Sequence, residues 1–301
     1  MDNDSLLIVE EQIEERLDKW LKNRFPEHSR TYFQFLIEEG AVLVNGSIVK
    51  KKTPLCLGDE VEVCFLLTPQ IELQPEAIPL KVVFEDEHLL IVDKPVGMVV
   101  HPAPGHPNGT FVNAFLHHCQ NLEIQKDDLR PGIVHRLDKD TSGLLIAAKN
   151  AKTHRLLIEQ FHSRSIEKTY LALCIGHPKE MTIDAPIGRH PEKRKEMAVN
   201  YENGKEAITF CQPLKFANGL SFIELKPKTG RTHQLRVHMK HIGMPILGDP
   251  VYGSPSMNKK FGIFTQLLHA AQLNFVHPIT NLPLSLHSSP SFDTQIHTLL
   301  S

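Results

Sequence analysis

Between residues 10 and 24 the apolar positions Ile13, Leu17, Trp20 and Leu21 fall on one helical face, and Pro26 cannot continue the helix. A second helix is predicted from an N-cap at Ser29, with Tyr32, Phe33, Leu36 and Ile37 facing inward and Gly40 at its end. The period then changes. Ala41 to Val44, the pair Asn45-Gly46, and Ile48 onward predict a hairpin, and the turn Leu57-Gly58-Asp59-Glu60 leads into the alternating Val61, Val63 and Phe65 of another strand.

Residues 68–79 carry Pro69, Pro75 and Pro79 among polar neighbours and predict a linker between a small domain (10–67) and a large one (80–301). Leu80 to Phe84, a Glu-Asp-Glu-His turn and Leu89 to Val92 predict a hairpin opening the large domain. Leu144 to Lys149 is a continuous apolar run of strand length. Asn150 then caps a predicted helix with Leu156, Leu157, Ile158 and Phe161 on its buried face, and strands are predicted near 166–173, 206–212 and 220–226. Leu235, Met239 and Ile242 share one face of a further helix, and Arg236 and Lys240 another.

Composition changes this picture little. With 301 residues, 41% hydrophobic and 23% charged, the chain has ordinary globular composition. The acidic start and the lack of any apolar stretch of about 18 residues predict a cytoplasmic protein that does not enter a membrane. Cys56, Cys64, Cys119, Cys174 and Cys211 are scattered, which argues against a disulfide framework or a structural zinc site. Charge changes it more. The net charge is −2, with 8 Lys and Arg against 13 Asp and Glu over residues 1–70, and 25 against 22 over 71–301. An anionic partner must therefore be met by local patches. The densest is Arg189, Lys193, Arg194 and Lys195, which we read as phosphate-contacting rather than simply solvated.

The candidate chemistry lies just before the apolar run, in Ile133-Val134-His135-Arg136-Leu137-Asp138-Lys139-Asp140-Thr141-Ser142-Gly143. A surface turn accounts for such a string in most proteins. Here Arg136 and Lys139 flank Asp138, a setting that favours an ionised carboxylate. Residues 102–109 lack the Gly-Lys-Ser/Thr of a phosphate loop, and His233, His238 and His241 lack the spacing and partners of a metal helix, so no metal or cofactor is expected. Lys94 and His101, taken alone, read as loop decoration.

The order of the whole string decides between these readings. Gly132-Ile-Val-His-Arg-Leu-Asp-Lys-Asp-Thr-Ser-Gly143 resembles the catalytic motif of the pseudouridine synthases that act on ribosomal and transfer RNA. Lys94-Pro95-x-Gly97, Glu167-Lys168-x-Tyr170, Gly230-Arg231-x-His233-Gln234-x-Arg236 and Leu247-Gly248-Asp249-Pro250 resemble its other motifs, in the family's order. The two N-terminal helices, the Val-Asn-Gly hairpin and the Gly-Asp-x-Val strand are similar to the RNA-binding module named after ribosomal protein S4, which would present Arg30, Lys50, Lys51 and Lys52.

The resemblance implies an α+β fold with a mixed, largely antiparallel sheet, and isomerisation of uridine in RNA, large-subunit ribosomal RNA first. It implies no cofactor, because nothing is oxidised and no group is lost. Asp138 would be the essential carboxylate, Arg136 would fill the space of the flipped base, Tyr170 would stack on that base, Arg236 would pair with Asp138, and Arg231 would neighbour RNA phosphate. A monomer working on structured RNA or an assembling subunit is expected. Two other readings remain at this point: an aspartyl-phosphate hydrolase built on Asp138-Lys139-Asp140, whose Ser142 is out of pattern, and a ribosome-assembly factor that only binds RNA.

Overall fold

The computed structural model describes the chain except for residues 1–4, 12, 14, 27, 29, 67–72, 103–105, 120, 121, 123–130, 194 and 195. The expected N-cap at Ser29 lies outside the described residues, as do much of the expected linker and two of the basic positions, Arg194 and Lys195. The chain divides into two compact units, one running to Leu73 and the other formed by Gln74–Ile124 and Arg130–Ser301.

In the small unit, strands β1 (Ser5–Ile8), β2 (Val42–Val44), β3 (Ser47–Ile48) and β4 (Glu60–Val63) form an antiparallel sheet in the order β1-β4-β2-β3. Alternation buries Val61 and Val63 of β4 while Glu60 and Glu62 stay outside. Asn45 and Gly46 both adopt left-handed backbone, φ 51° and 70°, as the tightest hairpin turn requires. Helices α1 (Leu17–Arg24) and α2 (Arg30–Glu38) contribute Leu17, Trp20, Leu21, Phe33, Leu36 and Ile37 to the same core.

Three expectations shift here. The first helix starts at Leu17 rather than near residue 10, because the segment before it belongs to the sheet: the Val9 N–H donates to the Asp59 carbonyl and Ile13 bridges Leu55. The run starting at Leu6 forms the edge strand β1, where no element was predicted. Asp18, a charged residue outside the apolar set Ile13, Leu17, Trp20 and Leu21 and so expected at the surface, is buried and accepts from Arg16, Arg30 and Gln34. Burial opposes its charge, but these donors outweigh it and hold the carboxyl at about 2.

The large unit is built on β5 (Val82–Glu85), β6 (Leu89–Lys94), β7 (Ser142–Ala148), β8 (Glu167–Ile175), β9 (Met181–Asp184), β12 (Ile208–Ala217), β13 (Leu220–Pro227), β14 (Leu268–Val276) and β15 (Pro283–His287). Their order is β5-β6-β7-β14-β8-β13-β12-β9, with β15 also on β14. Among the described residues only β7 and β14 pair in parallel, so the class is α+β with a mixed, largely antiparallel sheet. A separate hairpin, β10 (Ile187–Arg189) with β11 (Met197–Val199), forms where no strand was predicted.

The apolar run after Asp138 has no alternation because both faces of β7 are covered. Leu145 and Ala147 pack with Phe111 and Phe115 of α3 (Phe111–His118), and Leu144 and Ile146 pack with Leu157 of α4 (Ala151–His162). Helices α5 (Gln234–His241), α6 (Pro255–Phe261) and α7 (Asp293–Leu299) complete the unit.

Candidate active site

Strand register brings the chemistry together. Tyr170 of β8 lies opposite Ala270 of β14, and Ala270 lies opposite Gly143 of β7, five residues beyond Asp138. On its other side Tyr170 pairs with Leu225 of β13, which runs on into the loop before α5. Gly143 is needed where β7 meets β14: at φ 110° an added Cβ would stand 2.3 Å from the Ala270 carbonyl oxygen. The Asp138 loop is anchored where it enters β7. Thr141 donates its N–H to the Asp138 carbonyl and accepts from Gln266 through its hydroxyl, and Ser142 bonds to His269 at 2.9 Å.

Lys94, read from the sequence as decoration, is fully buried, and its ammonium donates to the carbonyls of Pro95, Met98 and Lys139 at 2.9–3.1 Å. It ties the Pro-Val-Gly loop to the residue after Asp138. Burial pushes its pKa down to about 8, against the pull of Asp140, Asp138 and Asp93.

The segment 229–236 is positioned by Gln234. Its side-chain oxygen accepts from the Thr229 hydroxyl and the Arg231 N–H, and its amide donates to the Ile208 carbonyl and the Thr209 hydroxyl. His238, one turn on, bonds to the Thr209 hydroxyl and the Ala185 carbonyl through its two ring nitrogens. Both contacts dock α5 onto the sheet, and the helix histidines do not converge as ligands.

With α5 fixed, Arg236 points back to the loop. Its Nη1 donates to Oδ2 of Asp138 at 2.9 Å, while Nε and Nη2 grip the fully buried Asp249 at 2.7 and 3.0 Å. Asp249 also accepts the backbone N–H groups of Val251 and Tyr252, so its charge is fully met. Burial alone would lower the Arg236 pKa, but the bonds to Asp249 and the nearby Asp138 raise it above the ordinary arginine value. Arg236 is thus a fixed cation shared by two carboxylates. Oδ1 of Asp138 accepts no hydrogen bond from the described residues, and His233 Nε2 stands 3.9 Å from it.

These groups line one cavity of about 520 Å³, with Arg136, Asp138, Lys168, Tyr170, Arg231 and Arg236 all on its wall. That volume holds a nucleotide-sized ligand. Tyr170 is half-buried there, and burial together with Asp138 keeps its hydroxyl protonated. Arg231 donates from Nε to the Glu206 carbonyl at 2.9 Å. The cation on Asp138 is Arg236, 98 positions away, and not the flanking pair: Arg136 is exposed in the cavity wall, and Lys139 bonds to His106. Lys193 lies apart from the cavity, in the turn between β10 and β11, where it pairs with Glu196 at 3.3 Å. Asp249, His233, Tyr252 and Lys168 were given no role from the sequence. The quoted motifs held Asp249, His233 and Lys168 but not Tyr252, and only the fold shows what they touch.

A family model described as RNA pseudouridylate synthase matches residues 88–241, which hold the loop, Tyr170 and Arg236. The chain belongs to the RNA pseudouridylate synthase family. A model of the S4 domain matches residues 15–61 of the small unit. Among curated relatives, this pseudouridine synthase is 43% identical over 273 residues to an uncharacterized RNA pseudouridine synthase of Bacillus subtilis, covering 90% of this chain and 89% of that one. It is 40% identical over 293 residues to ribosomal large subunit pseudouridine synthase D of Escherichia coli K12, covering 93% and 89%. Human RNA pseudouridylate synthase domain containing 1 has a similar structure, with a TM-score of 0.60 and 26% identity over 78% of this chain and 91% of that one. The family rules out the phosphohydrolase and the purely binding factor as readings of the chain.

Proposed function

We propose that this enzyme converts uridines of large-subunit ribosomal RNA to pseudouridine through Asp138. The observation that carries the reading is the bond from Arg236 to Oδ2 of Asp138 in the same cavity as Tyr170. The substrate class is supported by the relatives named ribosomal large subunit pseudouridine synthase D, which match at about 40% identity over most of the chain.

A base inside a duplex is out of reach, so the target uridine must leave its stack. Arg136, exposed in the cavity wall, fills the place of the departed base in the RNA. The Tyr170 ring stacks on the uracil within the cavity. Asp138 is the essential carboxylate, and Arg236 fixes its orientation while leaving one oxygen open to the substrate. The glycosidic bond is cleaved, the uracil turns, and C5 joins the same ribose carbon. The C5 proton is released and N1 ends protonated, so the product is an isomer of the substrate. Holding the base in the cavity makes recombination intramolecular and lets it outrun escape.

Arg231 neighbours a phosphate at the rim, and Lys193, Arg194 and Lys195 contact the RNA backbone farther out. The small domain, whose sheet takes in Ser5–Ile8 ahead of the expected start at residue 10, is joined through 68–79 to the catalytic domain (80–301) and adds RNA contacts from Lys50 and Lys52. Arg30 and Lys51 contribute less, since they are paired with Asp18 and Glu38. The enzyme acts as a cytoplasmic monomer and takes no cofactor or metal. Among the described residues no helix is long and apolar enough to cross a membrane.

Mapping pseudouridines by carbodiimide primer extension, in cells with and without the gene, tests the reading. Loss of one or more large-subunit sites is expected. Loss of a transfer RNA site with every ribosomal site intact would overturn the substrate. Activity of the purified enzyme after chelation, with the magnesium that folds the RNA restored, checks the absence of a metal requirement. Rescue by zinc alone would count against it.

A further inference from the structure

His233 has no part in the proposed reaction, yet its placement is unusual. It adopts left-handed backbone, φ 57°, at the N-cap of α5, and its side chain caps no helix N–H. The left-handed region is uncommon for any residue but glycine, though histidine enters it more readily than most. The ring contacts are specific. His233 Nδ1 lies 2.8 Å from the Tyr252 hydroxyl, and that hydroxyl accepts the backbone N–H of Met197, the first residue of β11, at 2.8 Å. Tyr252 is buried, and its ring lies against the Arg236 guanidinium, 5.0 Å from the centroid.

Proton counting fixes the tautomer. The Tyr252 oxygen already accepts from Met197, which has no other proton arrangement available. If His233 also donated from Nδ1, the buried tyrosine proton would have no acceptor. Every proton is satisfied only if Tyr252 donates to Nδ1, which places the imidazole proton on Nε2. That nitrogen faces Oδ1 of Asp138 at 3.9 Å, the oxygen that Arg236 leaves open.

We propose that His233 is a positioning residue for Asp138, held by Tyr252 as a neutral Nε2–H donor that closes on Oδ1 when a nucleotide fills the cavity. The inference rests on Asp138 being the reacting carboxylate. Active-site hydrogen bonds are often long before substrate binds and tighten in the complex. A carboxylate oxygen has two lone pairs, so one donor orients Oδ1 without blocking it. A neutral donor suits the site because Arg236 already supplies the full positive charge. The charged and titratable groups facing the ring are Asp138, Arg236, Asp249, Arg136 and the Tyr252 hydroxyl. Burial lowers the His233 pKa, Arg236 and Arg136 act with it, and Asp138 and Asp249 oppose them. The same hydroxyl ties the ring to the β10–β11 hairpin.

The test combines imidazole ¹⁵N spectra of the intact protein with single-turnover rates on ribosomal RNA. His233→Asn tolerates the left-handed backbone but is too short to reach Asp138, and it also assigns the resonance. His233→Gln carries an amide N–H to about the position of Nε2–H. In the parent at neutral pH, His233 is expected to be uncharged with Nδ1 unprotonated. Tyr252→Phe should give mixed tautomers and a rate about tenfold lower, one hydrogen bond's worth, with RNA affinity unchanged. His233→Asn should lose about tenfold and His233→Gln should stay within about threefold of the parent. If Tyr252→Phe does not fold, the parent spectrum and the two His233 variants carry the test. A parent ring protonated on Nδ1 or cationic at neutral pH would overturn the proposal, as would His233→Asn turning over at the parental rate. An active Asp138→Asn enzyme would instead sink the reading beneath it, and the ring's tautomer would be unaffected by that result.

Discussion

At the scale of single residues, the site depends on one carboxylate being held by a cation that is itself held. Asp138→Asn keeps the shape of the side chain and removes its charge. It is expected to abolish pseudouridine formation while RNA affinity in gel shifts stays within about threefold, since phosphate contacts dominate affinity. Retention of parental turnover would refute the catalytic assignment. Asp249 tests the next link. It does not itself line the cavity, yet it takes two of the guanidinium nitrogens and leaves Nη1 for Asp138. Asp249→Asn leaves Arg236 free to swing. We expect a single-turnover rate lower by about a hundredfold, the scale of a misplaced reacting group. Breaking a buried pair should also cost about 3–5 kcal/mol in urea denaturation. A stable variant with full activity would show that Arg236 needs no second anchor.

Elements were more legible in the sequence than contacts were. The alternation of β4, the Asn45-Gly46 turn and the Asn150 cap all depend on neighbours within four residues, and Asn150 does accept the Thr153 N–H at 2.9 Å. The start of α1 was not legible, since Val9 and Ile13 satisfy a helical pattern and a sheet contact alike, and only the pairing with Asp59 and Leu55 decides. Likewise local charge pointed to Arg136 and Lys139 as the cations for Asp138, and only the family resemblance named Arg236, which the fold brings from 98 positions away on α5. His135 shows how an element's stability follows from such a contact. Its Nε2 accepts the Ile146 N–H of β7 at 2.9 Å, and its ring stacks on Phe161 of α4. Burial, with Lys168 nearby, pushes its pKa down to about 3 from an ordinary 6.5. Below about pH 6.5 the unfolded chain therefore binds a proton that the folded chain refuses. The contribution is complete above pH 6.5 and is lost as pH falls towards 3, on the order of 3–5 kcal/mol in all. Urea titrations of the parent and His135→Ala between pH 7 and 4 should show the parent's advantage shrinking with acid. A constant difference would mean that the ring titrates normally in the fold.

For the whole molecule, the difficulty is binding a polyanion with a net charge of −2. The fold does not cure this by gathering the basic residues of the small unit, since Arg30 and Lys51 are neutralised by Asp18 and Glu38. On the proposed reading affinity comes chiefly from the cavity rim and from the β10–β11 hairpin, where Arg189 ends one strand and Lys193 stands in the turn, with Lys50 and Lys52 of the small unit adding to it. Changing Lys193, Arg194 and Lys195 together to Ala separates binding from chemistry. The variant should bind ribosomal RNA more weakly, and the slope of log affinity against log salt should flatten by up to about 0.7–0.9 for each phosphate no longer neutralised. Lys193 already shares its charge with Glu196, so the flattening should fall short of that for three full phosphates. At saturating RNA the single-turnover rate should return to the parental value, because Lys193 is not on the wall of the cavity that holds Asp138. An unchanged salt slope would make the hairpin tip a solvated charge run. A rate that stays low at saturation would mean that the hairpin also shapes the site, through the bond between Met197 and Tyr252.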